Sequence, residues 1–441
     1  MRKEKVFAFF QFIIDLCIIV VSYYGVFYLK KFFGKPYSLP NLIAMKSILP
    51  YLLIVFVVFF FVYGLYKIEE LDFYETFLGI IFSSIILAIF AFAFSFWFRA
   101  FAVPRSMVMY SFIVQILLLS VFHYFAYRIY LRLTPPVRAL IISSTEEKTR
   151  EIGEYIKAVK GDRVRIVEQV LNKDSMNVIE GKLDNFDIFI ISDDFDSKKK
   201  EEIVKFFAFK GKPFYVVPGI YELMLLNPKS HLVGDKMLLE ISVANVRWFD
   251  RFAKRTLDII VSVIALVVFS PLILIISILI LIDSGRPIYY LQKRAGINGE
   301  IFETIKFRTM VKDAEKDTGA ILSNENDTRV TKTGRFLRRT GFDEIPQFVN
   351  VLKGEMSVVG PRPERPELIN EIKQDVPDFD LRLKVKPGIT GFAQLAGKYD
   401  TPFEEKLKMD LVYGKQKFLF FTDIYVMLNT IKLFFLPKKR K

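Results

Sequence analysis

The stretch Arg255–Pro287, "RTLDIIVSVIALVVFSPLILIISILILIDSGRP", decides how the chain is laid out. Its apolar part, Ile259–Ile282, is long enough to cross the ~30 Å hydrocarbon core of a bilayer. Ser270-Pro271 stands at its middle. Proline removes a backbone donor, crowds the carbonyl four residues earlier and disfavours helix at the residue before it. Each half then holds about 12 residues, or ~18 Å of helix, too short to cross alone. Two layouts satisfy the pattern: a kinked transmembrane helix, or a helix-break-helix that dips into one leaflet and returns. In the second, Ser270 bonds a carbonyl freed by the proline, and the chain leaves on the side from which it entered. Arg251, Lys254 and Arg255 before the run, and Asp283 and Arg286 after it, suit either layout.

Upstream lie four longer apolar runs, Val6–Tyr28, Ile48–Tyr66, Phe77–Phe98 and Val108–Leu131. Each is close to the ~20 residues that a spanning helix needs. They concentrate the excess that makes 52% of the 441 residues hydrophobic, with 46 Phe. The first run is too long for a signal-peptide core, lacks a small-residue cleavage site and is followed by three more, so it is read as retained. Four crossings place the N-terminus and the chain after Leu131 on one side, and the Lys/Arg balance at the helix ends leans towards a cytoplasmic N-terminus. Asp15, inside the first run, is expected to be a buried partner within the bundle. The single cysteine, Cys17, excludes disulfides and a structural zinc site. A net charge of +14 suits polyanions; with four membrane helices and no nucleic-acid module, the expected partner is anionic lipid, met also by the tail "LPKKRK".

From Val137 the texture changes. "VRALIIS", Arg163–Val170, "FDIFIIS" and "PFYVVP" read as buried strands, alternating with helices over Glu146–Lys160 and Lys198–Phe209. This alternation predicts a parallel, Rossmann-like sheet. The turn after the first strand is Ser143-Ser144-Thr145-Glu146-Glu147. It has no glycine to let a pyrophosphate approach and two acids to repel one, so no dinucleotide is expected there.

Downstream of the broken run, "PIYYLQKR", Asn298-Gly299 and "IFETIKFRTM" predict a hairpin whose second strand puts Lys306 and Arg308 on one face. Then comes "RVTKTGRFLRR", with Arg329, Lys332, Arg335, Arg338 and Arg339 and no acid, followed at once by Asp343-Glu344. A salt-bridged surface is the bland reading of such a pair. A site for polyanionic substrates is the sharp one. His123 and His231 lie outside this half, which leaves a histidine-based mechanism without its residue.

"KFRTM" (306–310), "FDEIPQFVNVLKGEMSVVGPRP" (342–363), "KPGITGFAQ" (386–394) and "MDLVYG" (409–414), in this order, resemble the bacterial sugar transferase family. Four membrane helices and a degenerate Rossmann-like module ahead of them resemble its large members. Phe342 and Ile345 stand where leucines are usual, and Lys398 where an arginine often stands. The resemblance implies transfer of a sugar-1-phosphate from a UDP-sugar to undecaprenyl phosphate, releasing UMP, through a phosphosugar-aspartate. Asp343 would be the nucleophile, and Glu344 a ligand for Mg²⁺, a hard ion that prefers carboxylate and phosphate oxygens. Lys306, Arg308, Arg338, Arg362, Gly388, Gly391, Lys398 and Asp410 would bind substrate or support the site. A galactose or glucose donor, a homodimer and no nucleic-acid partner are also implied. So is a bacterial inner-membrane location with the catalytic domain on the cytoplasmic face.

The expected fold class is a membrane protein of α plus α/β type. A four-helix transmembrane bundle (1–132) precedes a degenerate Rossmann-like domain without catalytic role (133–250). Residues 251–441 are expected to form a monotopic α/β catalytic domain, with a re-entrant helix broken at Ser270-Pro271 and amphipathic interfacial helices. Re-entry is expected because a spanning segment would carry Asp343 away from the compartment that supplies UDP-sugars. Two rival functions stay open. One is a glycosyltransferase releasing UDP, with Asp194-Phe195-Asp196 or Asp378-Phe379-Asp380 as metal site; the other is a non-enzymatic scaffold for polysaccharide assembly.

Overall fold

The computed structural model describes residues 2–67, 73–160, 164–170, 180–181, 183–233, 235–243, 248–311, 327–396, 401–416 and 419–435. The chain forms two compact units, Met1–Pro218 and Gly219–Lys441.

The first unit opens with helices α1 (Arg2–Leu29), α2 (Leu39–Val62), α3 (Phe73–Trp97) and α4 (Arg105–Leu133). All four are long and apolar enough to cross a membrane. Helix α1 packs on α4, α4 on α3 and α3 on α2. Polar groups turn inward: Asp15, fully buried, pairs with His123 Nε2 at 3.0 Å, and Gln11 Nε2 donates to the Leu65 carbonyl at 2.7 Å. Asp15 is therefore a partner within the bundle, joining α1 to α4. Large apolar side chains such as Phe10, Ile54, Phe96 and Ile113 face outward, as helices surrounded by lipid require.

Beyond the bundle, β1 (Val137–Ile142), α5 (Glu146–Lys160), β2 (Val164–Val170), β3 (Ile188–Ile191), α6 (Ser197–Lys210) and β4 (Phe214–Val216) follow the expected alternation. The strands form one parallel sheet in the order β2-β1-β3-β4. Successive residues of β1 point to opposite faces. Leu140 and Ile142 join Phe189 and Phe207 in one core, and Ala139 and Ile141 join Ile190 in the other. The β1–α5 turn, lacking glycine, is filled from within. The Asp194 carboxylate accepts hydrogen bonds from the backbone and hydroxyls of both Ser144 and Thr145, at 2.8–3.1 Å. An internal carboxylate thus occupies the place where a phosphate meets a helix N-terminus in nucleotide-binding sheets.

In the second unit, residues 219–243, which the sequence grouped with the middle domain, hold α7 (Ile220–Met224) and the hairpin β5 (Lys229–Val233)–β6 (Lys236–Glu240). Ile220, Leu223 and Val243 pack with Ile369, Phe379 and Leu411. Then comes α8, Trp248–Ser284. Here the expected break is corrected: the helix runs through Ser270-Pro271 without interruption. Only the Val267 carbonyl loses its partner to the proline, and the Ser270 hydroxyl donates to it at 2.7 Å. One lost hydrogen bond, locally replaced, does not stop a helix whose other peptide groups have no better option in an apolar setting.

Both ends of α8 dock on the same α/β body. Arg255 donates to the carbonyls of Val351 and Leu352, and Asp258 accepts from Ser357 and Val358. At the other end Asp283 accepts from Thr333 N, while Ile276 and Ile280 pack on Phe307 and Leu337. That body comprises the antiparallel hairpin β7 (Tyr289–Ala295)–β8 (Ile301–Phe307), helix α9 (Lys332–Thr340), a 3₁₀ turn (Phe342–Glu344) and α10 (Gln347–Lys353). It continues through β9 (Ser357–Val359), α11 (Pro366–Asp375), a 3₁₀ segment (Pro377–Lys384), β10 (Gly388–Thr390), α12 (Phe392–Ala396) and α13 (Phe403–Gly414). Strands β9 and β10 are parallel. The last helix, α14 (Leu419–Phe435), buries Leu419 and Val426 and exposes Phe421, Tyr425 and Ile431, the two-sided pattern expected of an interfacial helix. Among the described residues, five helices, the fifth being α8, have the length and apolarity to cross a membrane.

Candidate active site

The acid pair sits at a forced corner. Thr331 caps α9 by accepting from Gly334 N, and the helix ends at Gly341, whose φ of +71° turns the chain left-handed. The 3₁₀ turn Phe342–Glu344 follows, and Pro346 leads into α10. This is why the carboxylates stop at a proline: it sits at the start of a helix, where no backbone donor is needed. Ile345 is buried, and Phe342 packs with Ile276, Phe307 and Leu337, so the turn rests on α8 and β8.

Glu344 is clamped. Lys306 Nζ, projecting from β8, donates to its Oε1 at 2.8 Å. Arg362 donates to the same oxygen through Nη2 at 2.9 Å and reaches Oε2 through Nη1 at 3.4 Å. Burial alone would raise the Glu344 pKa, but Arg362 and Lys306 outweigh it and hold the carboxyl well below the usual range. Asp343 has the opposite environment. Its carboxylate accepts no hydrogen bond from the described residues. Burial, followed by the charge of Glu344, pushes it up to about 6, against the pull of Lys306, Arg362 and Arg338. An ionised, unbonded carboxylate beside fixed cations is an available nucleophile.

The Arg362 backbone is itself pinned. Its carbonyl accepts from Arg382 Nη2 at 2.9 Å. The neighbouring carbonyls of Pro361, Pro363 and Glu364 accept from Gly388 N, Arg294 Nη1 and Ala295 N. Arg382 in turn pairs with Asp410 at 2.9 Å, both almost fully buried.

Residues 249–437 match the family model described as bacterial sugar transferase. The chain is 38% identical over 184 residues to the UDP-N-acetylgalactosamine-undecaprenyl-phosphate N-acetylgalactosaminephosphotransferase of Aeromonas hydrophila, 41% of this chain and 43% of that protein. It is 32% identical over 259 residues to the UDP-glucose:undecaprenyl-phosphate glucose-1-phosphate transferase of Escherichia coli, 58% of this chain and 55% of that one. The chain spans about half the length of these two relatives. Over 200 residues, 42% of this chain, it is 36% identical to the exopolysaccharide production protein ExoY of Rhizobium meliloti, of which it covers 87%. The chain belongs to the bacterial sugar transferase family.

In this bacterial sugar transferase the expected site residues divide. Asp343, Glu344, Lys306 and Arg362 meet around one turn. Arg338 bears on Asp343 electrostatically and donates through Nε to Thr309 Oγ1 at 2.8 Å. Arg308 lies elsewhere, donating through Nη2 to the Ser284 and Gly285 carbonyls at the C-terminus of α8. Gly388 and Gly391 cross the Gly360 backbone so closely that an added Cβ would lie 2.1 Å from Gly360 N and 2.3 Å from Gly360 O respectively. Asp410 reaches the site only through Arg382. Lys398 and the tail 436–441 lie outside the described residues. Arg382 and Arg294 escaped sequence reading: in "DLRLKVKPG" and "LQKRAG" they look like any surface cation, and no periodicity marks them.

Proposed function

We propose that the chain transfers a sugar-1-phosphate from a UDP-sugar to undecaprenyl phosphate and releases UMP, the first step of making an exopolysaccharide, capsule or O-antigen. The observation that carries this reading is the unbonded Asp343 carboxylate set beside Glu344, itself clamped by Lys306 and Arg362. In the first half-reaction an Asp343 oxygen attacks the sugar-bearing phosphorus, and the bond from that phosphorus to the UMP oxygen breaks. In the second, an oxygen of undecaprenyl phosphate attacks the same phosphorus, and the Asp343 carboxylate leaves. Lys306, Arg338 and Arg362 offset the charge that accumulates on the phosphoryl oxygens.

A Mg²⁺ ion carried in with the substrate phosphates fits beside Glu344. Glu344 Oε2 is held only by the 3.4 Å contact, Asp343 is unbonded, and no group of three or more metal-ligating side chains occurs among the described residues. Glu344 would hold the ion together with oxygens of the bound substrate phosphates, since this ion takes few protein ligands. When bound it would supply charge neutralisation at the phosphates.

Re-entry of α8 belongs to the same proposal, now by a bend of the continuous helix at Pro271 rather than by the break the sequence suggested. The docking of both helix ends on one α/β body supports it, as does Phe342, which ties the nucleophile's turn to the membrane helix. Single cysteines at Thr256 and Ser284 in a Cys17→Ser background should label from the same side; opposite-side labelling would rule it out. The catalytic domain would face the cytoplasm from the inner membrane, against anionic lipid, in a homodimer that a mass measurement in native-like lipid would test.

Three of the four carboxylates of the rival metal sites are engaged by this chain's own groups. Asp194 is taken by Ser144 and Thr145, Asp196 caps α6 by accepting from Lys199 N, and Asp380 pairs with Lys373. The deciding experiment incubates purified full-length chain with undecaprenyl phosphate and a panel of UDP-sugars, and identifies the nucleotide product. UMP is expected, with galactose or glucose as preferred sugar; of the three relatives above, the one covering most of this chain is named for glucose. UDP would favour the glycosyltransferase, and no product from any donor the scaffold.

A further inference from the structure

The clamp on Glu344 depends on where Arg362 starts. Its side chain is 43% exposed and has two guanidinium contacts, so its own packing does little to fix it. Its backbone is fixed instead. Arg382 is 4% exposed, lies over the Phe379 ring at 4.7 Å and donates to the Arg362 carbonyl at 2.9 Å. Asp410, 2% exposed, holds the same guanidinium from α13. Both contacts fall on Nη2, which donates to the Arg362 carbonyl and faces Asp410 Oδ2 as an ion pair rather than an aligned hydrogen bond. A lysine is shorter and lacks the planar face that lies over the Phe379 ring, so its ammonium does not reproduce this placement.

A buried ion pair by itself is weak support for a fold, because desolvation offsets much of the attraction. This pair does something a fold does not require: it terminates on the carbonyl of a residue whose side chain reaches the acid pair. Arg294 acts beside it on the Pro363 carbonyl and on Glu364.

We propose that Arg382, anchored by Asp410, is a positioning residue that fixes the Arg362 backbone so that its side chain meets Glu344 and the donor phosphates. The inference rests on the phosphotransfer reading above. It assigns Arg382 a role that touches no substrate, acting only through Arg362.

The test compares Arg382→Lys and Arg382→Gln with wild type in full-length protein, reading kcat and KM for the UDP-sugar together with the melting temperature. Arg382→Lys keeps a buried cation for Asp410, so it should melt close to wild type while kcat/KM falls about tenfold, the loss expected for a displaced binding group. Arg382→Gln should lose more. In an Arg362→Ala background, Arg382→Lys should cost nothing further, since the residue it positions is gone. Wild-type kcat/KM in a normally melting Arg382→Lys protein would overturn the proposal, as would losses that multiply in the double variant. Should Arg382→Lys fail to fold, Asp410→Asn, which removes the anchor and keeps its shape, must lower the same parameter or the proposal falls. A wild-type chain that releases no UMP is a different failure, that of the phosphotransfer reading itself.

Discussion

Two acidic turns in this molecule, Asp193-Asp194 and Asp343-Glu344, look alike in sequence and are built to opposite ends. At the first, Asp194 faces the β1–α5 turn, where Ser144 and Thr145 bond its carboxylate through backbone and hydroxyl groups. Despite partial burial these donors keep it below the usual carboxylate range. At the second, the cations are long side chains converging from β8 and from the Pro361–Pro363 arch, and they take Glu344 while leaving Asp343 unbonded and raised to about 6. Local donors neutralise an acid and close its site. Distant donors can hold one acid and expose its neighbour.

The sharpest way to break this contrast is Asp343→Asn. The change is isosteric and no hydrogen bond is lost, so the protein should melt as wild type, yet UMP release should fall by ~10³-fold or more, as for loss of a covalent nucleophile. A sugar-phosphate on Asp343 in quenched wild-type protein is the complementary readout. Turnover at wild-type rate in the Asn variant would end the nucleophile assignment.

Next in size is Arg362→Ala, which removes one of the two cations on Glu344 and should lower kcat by ~10²–10³-fold, the usual cost of deleting a charge-stabilising donor. Lys306→Met should act in the same direction, since both bear on the same oxygen.

The pH profile sharpens the comparison further. The reactive form of Asp343 is the carboxylate, and its pKa is raised to about 6, so kcat/KM should plateau above roughly pH 7 and fall about tenfold per unit below 6. Asp410 is also pushed up to about 6 by burial. If the acid limb persists in Asp410→Asn, it belongs to Asp343; if it vanishes, the limb reports the Arg382–Asp410 pair instead.

The smallest effect is expected at the other turn. Asp194→Ala should leave UMP release unchanged and cost about 1–2 kcal/mol of stability, the scale of losing hydrogen bonds to a partly exposed carboxylate, read as a shift in the denaturant midpoint. The isolated wild-type segment should bind neither NAD nor a UDP-sugar; tight binding of either would contradict a closed crevice.

Much of this was legible along the chain. The lengths of the apolar runs marked the four bundle helices, strand-like runs between helical stretches marked β1 to β4, and Asn298-Gly299 marked the β7–β8 hairpin. The acid pair beside a cationic run pointed to the turn that the structure builds. Ser270-Pro271 misled: a proline signals a broken helix locally, but the Ser270 hydroxyl and an apolar setting keep α8 continuous. Lys306 and Arg308, two apart on one strand pattern, part company because β8 ends at Phe307, leaving Arg308 to bind the end of α8.

By itself, then, the sequence determined what is local or chemical: apolar lengths that suit lipid, strand and helix patterns, a β1–α5 turn without glycine, and carboxylates next to cations. Those follow from side-chain chemistry and from spacings of a few residues. Only the tertiary structure decided which cation meets which acid. Glu344 draws partners from 38 residues upstream and 18 downstream, and Arg382 reaches Asp410 and the Arg362 carbonyl across segments with no shared pattern. Such pairings depend on how chain segments return to one another, and a linear pattern of residues does not record distance in space.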